Sequence, residues 1–184
     1  EDVVSRSEQL RVQLAELGPS FVKAGQVLAN RPDIVRADYM DQLTKLQDDV
    51  PPFANSQAFD IMEQELGRPI SEVYSEISSE PIAAASLGQV YRGRLRATGE
   101  EVAIKVQRPG IEPIIYRDLV LFRALAAFVN QVSMRRLGCN AQLIVDEFGE
   151  KLLEELDYVQ EGRNLAEFYQ NFDGDPVVKI PKFY

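Results

Sequence analysis

Histidine is absent from the 184 residues, and Cys139 is the single cysteine. Without histidine there is no imidazole base and no Cys/His zinc site, and a lone thiol cannot close an intrachain disulfide. Basic residues are also scarce: 20 Lys and Arg stand against 29 Asp and Glu, for a net charge of −9 and a pI near 4.7. That balance excludes a chain-wide positive field for nucleic acid or an anionic membrane, while leaving room for a local basic patch. No stretch approaches the roughly 18 consecutive apolar residues of a membrane span. Glu1, Asp2 and Arg6 do not make a signal-peptide start, and the missing initial Met reads as a processed or excised segment. What is present, 45% apolar and 27% charged residues, is the composition of a soluble globular protein rather than of a disordered chain, a collagen or a disulfide scaffold. Chemistry in such a chain falls to carboxylates, lysine, backbone amides or a bound ligand.

The first third reads as helical. Val3, Val4, Leu10, Leu14 and Leu17 recur at helical spacing over residues 2–17, and Gly18-Pro19 is a stop signal. Ser20 is the predicted N-cap of a second helix from Phe21 to about Asn30, which Pro32 blocks. Met40, Leu43 and Leu46 give a third helix ending before Pro51-Pro52, and Ser56 to Leu66 a fourth closed by Gly67. From residue 77 the character changes: Val90-Tyr91, the Thr98-Gly99 turn and Val102-Ala103-Ile104 predict two or three antiparallel strands over Glu80 to Gln107. Helical spacing returns on the apolar segment from Pro113 to about Met134, which Arg117, Asp118 and Arg123 interrupt, and again after Asn140, a predicted cap, on a helix running to Phe168 in which Gly149 and Gly162 are the weak points of continuity. Val177 to Tyr184 reads as a strand with no partner in the remaining chain.

The chemistry concentrates in Pro81-Ile82-Ala83-Ala84-Ala85-Ser86-Leu87-Gly88-Gln89-Val90 and Val102-Ala103-Ile104-Lys105. Small side chains in a strand-turn-strand leave backbone N–H groups open to phosphate oxygens, and a lysine on the next strand reaches the same phosphates. Against the protein-kinase pattern G-x-G-x-x-G-x-V then V-A-I-K, Ala83, Ala85, Gly88 and Val90 occupy the four loop positions and the strand motif is complete at Lys105. Such a lysine needs a carboxylate to hold its flexible stem, and Glu161 is the candidate. At 100° per residue, Glu154, Asp157 and Glu161 share one stripe, which is equally a solvated acidic face, whereas Glu155 points elsewhere. Lys23-Ala24-Gly25-Gln26 puts Lys23 and Gln26 on one helical face, with Gly25 permitting close approach; alone it is an ordinary exposed turn.

Together, Lys23-Ala24-Gly25-Gln26, Ala83-Ala84-Ala85-Ser86, Val102-Ala103-Ile104-Lys105-Val106-Gln107-Arg108-Pro109-Gly110, and Glu155-Leu156-Asp157-Tyr158 with Glu161 resemble the UbiB-type atypical kinase-like family. The four motifs occur in family order, and Pro32-Asp33-Ile34 and Leu46-Gln47-Asp48-Asp49-Val50-Pro51-Pro52-Phe53 resemble that family's N-terminal extension. The resemblance implies that Lys23 and Gln26 form a cover over the nucleotide site, near the acidic pair Glu155 and Asp157. It implies that Ala83, Ala84, Ala85, Ser86 and Gly88, with Val90, cover the phosphates, that Lys105 contacts them, and that Glu161 pairs with Lys105. Helical geometry puts Glu155 and Asp157 on different faces, so either they serve different partners or the helix is irregular there. Alanine in the loop stiffens it relative to glycine and crowds the phosphates, and the family associates this loop with altered preference between ATP and ADP. No H-R-D-type loop, catalytic Asn or D-F-G occurs, which reads as truncation before a second lobe; without that lobe the segment is expected to be inactive alone, and Mg²⁺ is expected through it.

The expected fold is α+β: a helical extension over residues 1–76, then a kinase-like N-lobe over residues 77–184, with a small antiparallel sheet, inserted helices and the C-lobe missing. By resemblance the parent binds ATP or ADP and supports isoprenoid-quinone or other prenyl-lipid metabolism at a membrane, with prenyl-lipid biosynthetic proteins and membrane lipid as partners, no nucleic acid and no metal held by this segment. A nucleotide-responsive pseudokinase scaffold is the alternative, and a helical interaction domain with a tightly packed alanine loop is a third reading. Thr98 to Gly110 looks most like cyanobacterial and plastid members, with a mitochondrial or other bacterial origin left open.

Overall fold

The computed structural model describes residues 5–47, 51–136 and 138–184. Val3 and Val4 of the first predicted helix, and Asp48, Asp49 and Val50 of the extension-like segment, lie outside the described residues.

Helix α1 (Arg6–Leu17) starts on Ser5, whose hydroxyl accepts from the Glu8 N–H at 3.2 Å. Gly18 at φ 112° makes the corner into α2 (Pro19–Leu28), with proline at the first helical position, where its missing N–H costs nothing. The predicted cap therefore moves: Gly18 takes that place, and Ser20 is fully buried inside the helix with its hydroxyl unpartnered. Helix α3 (Ala37–Thr44) and a 3₁₀ turn (Lys45–Gln47) close a small core of Val22, Ala29, Leu43 and Leu46. Gly25 is what lets α2 sit on that turn, since a Cβ there would collide with Leu46.

Helix α4 (Asn55–Leu66) ends on Gly67 in the left-handed conformation, as its position after the last periodic residue predicts. A short α5 (Ile70–Val73) leads into β1 (Tyr74–Ile77), so the first strand begins ahead of residue 77. The sheet has four strands: β3 (Gly88–Leu95) is central, β4 (Glu101–Gln107) flanks one edge, and β1 and β2 (Ala83–Ala84) share the other, all antiparallel. Ala58 and Met62 of α4 pack against Tyr91 and Val106 to bury one sheet face.

The long α6 (Ile111–Arg136) turns back into α7 (Ala141–Glu154), and their shared core holds Ile111, Ile115, Leu119 and Leu152. Asn140 caps α7 as predicted, accepting from the Gln142 and Leu143 N–H groups. The rings of Phe21, Phe122 and Phe148 join α2 to this hairpin, at 4.7 and 5.7 Å between centroids. The predicted continuous helix to Phe168 is instead two: α7 stops at Glu154 and α8 (Tyr158–Asn171) begins afresh on Asp157, whose carboxylate accepts from the Gln160 N–H at 2.8 Å. Neither Gly149 nor Gly162 makes the break. Val177 to Tyr184 is not a strand; it crosses α8 with the Phe183 ring laid on Gly162. An isolated extended segment has no ladder to join, and the Asp175 side chain instead takes the Val177 and Val178 N–H groups.

Candidate functional site

Strand β4 carries Lys105 opposite Val90 of β3, and the antiparallel register fixes its height beside the alanine loop. Its ammonium meets the Glu161 carboxylate at 2.7 Å, a contact between residues 56 apart in sequence that exists only because α8 restarts at Asp157 and turns its first-turn Glu161 toward the sheet. Tyr158, one turn earlier on α8, lies under the same ammonium, with 4.4 Å from nitrogen to ring centroid. Lys105 is thus held by a carboxylate and an aromatic face while remaining about half exposed.

The Tyr158 hydroxyl end is buried, has no hydrogen-bond partner, and abuts Gly88 at the base of the loop. Burial, and secondarily the charges of Glu161 and Glu155, push this phenol up to about 12. Gly88 answers a packing need: an added Cβ would stand 2.5 Å from the Val106 carbonyl oxygen and 2.8 Å from the Tyr158 hydroxyl.

The loop is tight. Ala85 donates its N–H to Gly88 O at 2.7 Å, Ala83 and Ala84 pair with Val90 and Gln89, and Ser86 is buried, while the methyl groups of Ala83 and Ala85 face solvent. Arg108 holds it from below. Its guanidinium donates to Ser86 O at 3.2 Å, Ala85 O at 3.4 Å and Pro51 O at 2.9 Å, and lies 5.4 Å from the Phe53 ring, while burial draws its pKa below the ordinary value. Gln89, also fully buried, accepts from the Phe53 N–H at 3.1 Å and donates to Phe53 O at 3.3 Å and to the Tyr91 hydroxyl, which donates to Asn55 at 2.7 Å.

On the extension side, Lys23 reaches Glu155 at 2.5 Å. Gln26 donates to Leu46 O at 3.3 Å, and Asp157 serves as the α8 cap. The acidic pair therefore serves different partners, and the helix is irregular between them. The Gln107 amide fastens this elbow to the sheet through Leu156 O at 2.9 Å. Among the described residues no group of three or more Cys, Asp or Glu side chains is placed to hold a metal ion. Sequence reasoning missed Tyr158, Arg108 and Gln89. The aromatic directly after Asp157, and the arginine between Gln107 and Pro109, were the available signals.

The family model of the ABC1 atypical kinase-like domain matches residues 45–184. The chain is 69% identical, over its whole length, to 27% of a protein named ACTIVITY OF BC1 COMPLEX KINASE 1, chloroplastic, from Arabidopsis thaliana. It is 40% identical, over 98% of its length, to 34% of a protein from Pseudomonas fluorescens named probable protein kinase UbiB. Among solved structures, Rv3197 of Mycobacterium tuberculosis in complex with erythromycin matches with a TM-score of 0.56 and 31% identity, over 95% of this chain and 46% of that one. The chain spans about a third or less of the length of these curated relatives.

Proposed function

The chain belongs to the ABC1 atypical kinase-like family, and on that premise we propose that it is the nucleotide-binding lobe of an atypical kinase or ATPase supporting isoprenoid-quinone or other prenyl-lipid metabolism at a membrane. The observation that carries the nucleotide reading is the Lys105–Glu161 contact beside the alanine loop. A half-exposed ammonium, steered by a carboxylate and a ring, fits the phosphates of ATP or ADP, because it offers a fixed positive charge with donors left to spend. ATP, when bound, supplies the transferable phosphoryl group; Lys105 would orient its phosphates, and Ala83, Ala84, Ala85, Ser86, Gly88 and Val90 would form the wall over them. Arg108 holds that wall in place through two of its carbonyls. Mg²⁺ ligands would come from the parent beyond this lobe, where the ion would offset charge on the phosphates. Lys23, on Glu155, would hold the extension over the site as a cover. The name of the 69%-identical relative supports a plastid setting.

Titration calorimetry of ATP and ADP on the full-length protein tests this reading. Lys105→Met is expected to weaken nucleotide binding about tenfold to a hundredfold, since hydrogen bonds to charged groups are worth about 1.5–3 kcal/mol, and Glu161→Gln to weaken it less. Unchanged affinity in a folded Lys105→Met protein would sink it. Retained binding with no phosphate release from ATP would favour the scaffold reading, for which the Lys23–Glu155 latch between extension and elbow is the supporting feature.

A further inference from the structure

From Leu119 to Val145 the chain carries Arg123, Arg135 and Arg136 and no carboxylate, although 29 acidic residues are spread over the rest. The same stretch builds the outer face of α6. Its inner face is spent on Ile115, Leu119 and Ala126, all buried. Outward, Leu121 is 55% exposed, Leu125 57%, Phe128 86% and Val132 57%. These four recur at spacings of four, three and four, and Arg135 follows at three, so one stripe runs apolar along the helix and ends in positive charge. Leu143, 65% exposed at the start of α7, widens the apolar surface near the turn of the hairpin. Among the described residues no helix is long and apolar enough to cross a membrane, so a lipid contact here is made by lying on the surface rather than spanning it.

We propose that the α6–α7 hairpin docks on an anionic lipid surface, with Leu121, Leu125, Phe128 and Val132 entering the acyl boundary and Arg135 and Arg136 meeting the headgroup phosphates. The charge pattern selects this occupant. On a chain of net charge −9, an arginine-ended apolar ridge without a carboxylate offers an anionic interface attraction; Arg123 is paired with Asp146, so Arg135 and Arg136 carry that charge. Arginine stems are long enough to lay their methylenes along the ridge while the guanidinium stays at headgroup level. The inference rests on, and gives a location to, the membrane part of the function proposed above.

The test is flotation of the full-length protein with vesicles of phosphatidylcholine alone and of phosphatidylcholine mixed with phosphatidylglycerol. Wild type is expected to float with the mixed vesicles and to be released by salt. The double substitution Leu125→Ser, Phe128→Ser and the charge reversal Arg135→Glu, Arg136→Glu are each expected to lower partitioning at least about tenfold. Their thermal midpoints should not move, because the apolar pair is exposed and both arginines are at the surface. If wild type floats and the variants float equally, the hairpin is not the contact, while the membrane reading stands. If wild type floats with neither vesicle, both fail. Two further results would also overturn the proposal: ridge variants that split a dimer in sedimentation velocity without altering flotation, and a Phe128→Cys, Cys139→Ser protein whose new thiol resists maleimide because the rest of the protein covers it.

Discussion

Two lysine–glutamate pairs tie distant segments to the α7–α8 elbow, and they are built differently. Lys105 stands on a strand, shares its charge between Glu161 and the Tyr158 ring, and remains 46% exposed. Lys23 stands on a helix, meets only Glu155 among the contacts described, and is more enclosed at 23%. The floor beneath them also differs. Under Lys105 the close approach is backbone to backbone, Gly88 against the Val106 carbonyl; under Lys23 it is Gly25 against the end of a leucine side chain. A strand-mounted lysine steered by two groups is the more closely positioned of the two; under the function proposed above it would act on phosphate, while Lys23 would latch the cover. Glu155 and Glu161 sit either side of one break, so under that proposal release of Lys23 would bear on the elbow that also positions Glu161.

The largest expected effect breaks the fixed side. Gly88→Ala puts a methyl group against the Val106 carbonyl oxygen, where backbone must yield, and against the Tyr158 hydroxyl, and is expected to cost about 1–3 kcal/mol by overpacking, read as a lowered denaturation midpoint. A change below about 0.5 kcal/mol would mean that β3 and β4 slide more easily than their register indicates. Gly25→Ala comes second. It meets the tip of Leu46, which is buried and can turn only within a packed core, so a smaller loss is expected in the same measurement. If Gly25→Ala proved costlier than Gly88→Ala, the assignment of rigid and yielding floors would have to be exchanged.

Double-mutant cycles on the two pairs sharpen the contrast. Both are partly exposed, so each coupling should fall within about 0.2–1 kcal/mol, with Lys23–Glu155 the larger because it is better shielded from water. In nucleotide titrations the order should invert, with Lys105→Met weakening affinity and Lys23→Met leaving it intact or improving it. Equal losses from both would show that Lys23 is not a cover.

The smallest effect at neutral pH belongs to Tyr158→Phe, which keeps the ring under Lys105 and deletes only an unpartnered buried hydroxyl. Its signature lies in alkali. The folded phenol is pushed up to about 12, above the ordinary value of 10.0, so the folded state holds the proton longer than the unfolded chain. Stability from this group is therefore full below pH 10 and lost as pH rises towards 12. Urea midpoints across that window should fall less steeply for Tyr158→Phe than for wild type; identical slopes would remove the buried phenol from the account.

Much of this was readable from the chain because the signals are local. Gly67 after the last periodic residue, Asn140 before the next, and Val102 to Lys105 as a strand each depend on neighbours within a few positions. The break between α7 and α8 was half readable: Glu155 and Asp157 on different faces of one helix left an irregularity there as one of two readings, but no proline or glycine marks it, and Asp157, which reads as part of a stripe, restarts the helix. Ser20 has the chemistry of a cap but loses the position to Gly18, whose positive φ turns the corner first. The terminal residues have strand composition, but pairing is a property of neighbours in space, and among the described residues no strand pairs with them, Lys182 meeting Glu100 only by its side chain. Tyr158, Arg108 and Gln89 escaped for the same reason: apart from Tyr91, two positions from Gln89, the groups they touch lie from 22 (Arg108 to Ser86) to 70 positions away (Tyr158 to Gly88) in sequence.

The amide of Gln89 does for Phe53 what a neighbouring strand would do, taking both its N–H and its carbonyl. The consequence concerns dissection. A recombinant fragment cut to begin after Phe53, or at the first residue of the sheet, would leave the Gln89 carbonyl oxygen without its donor and one amide hydrogen without its acceptor in the interior, and would unseat Arg108 from Pro51 as well. The sheet and the strap that precedes it are therefore expected to behave as one structural unit, and limited proteolysis should find its first durable amino terminus upstream of Pro51.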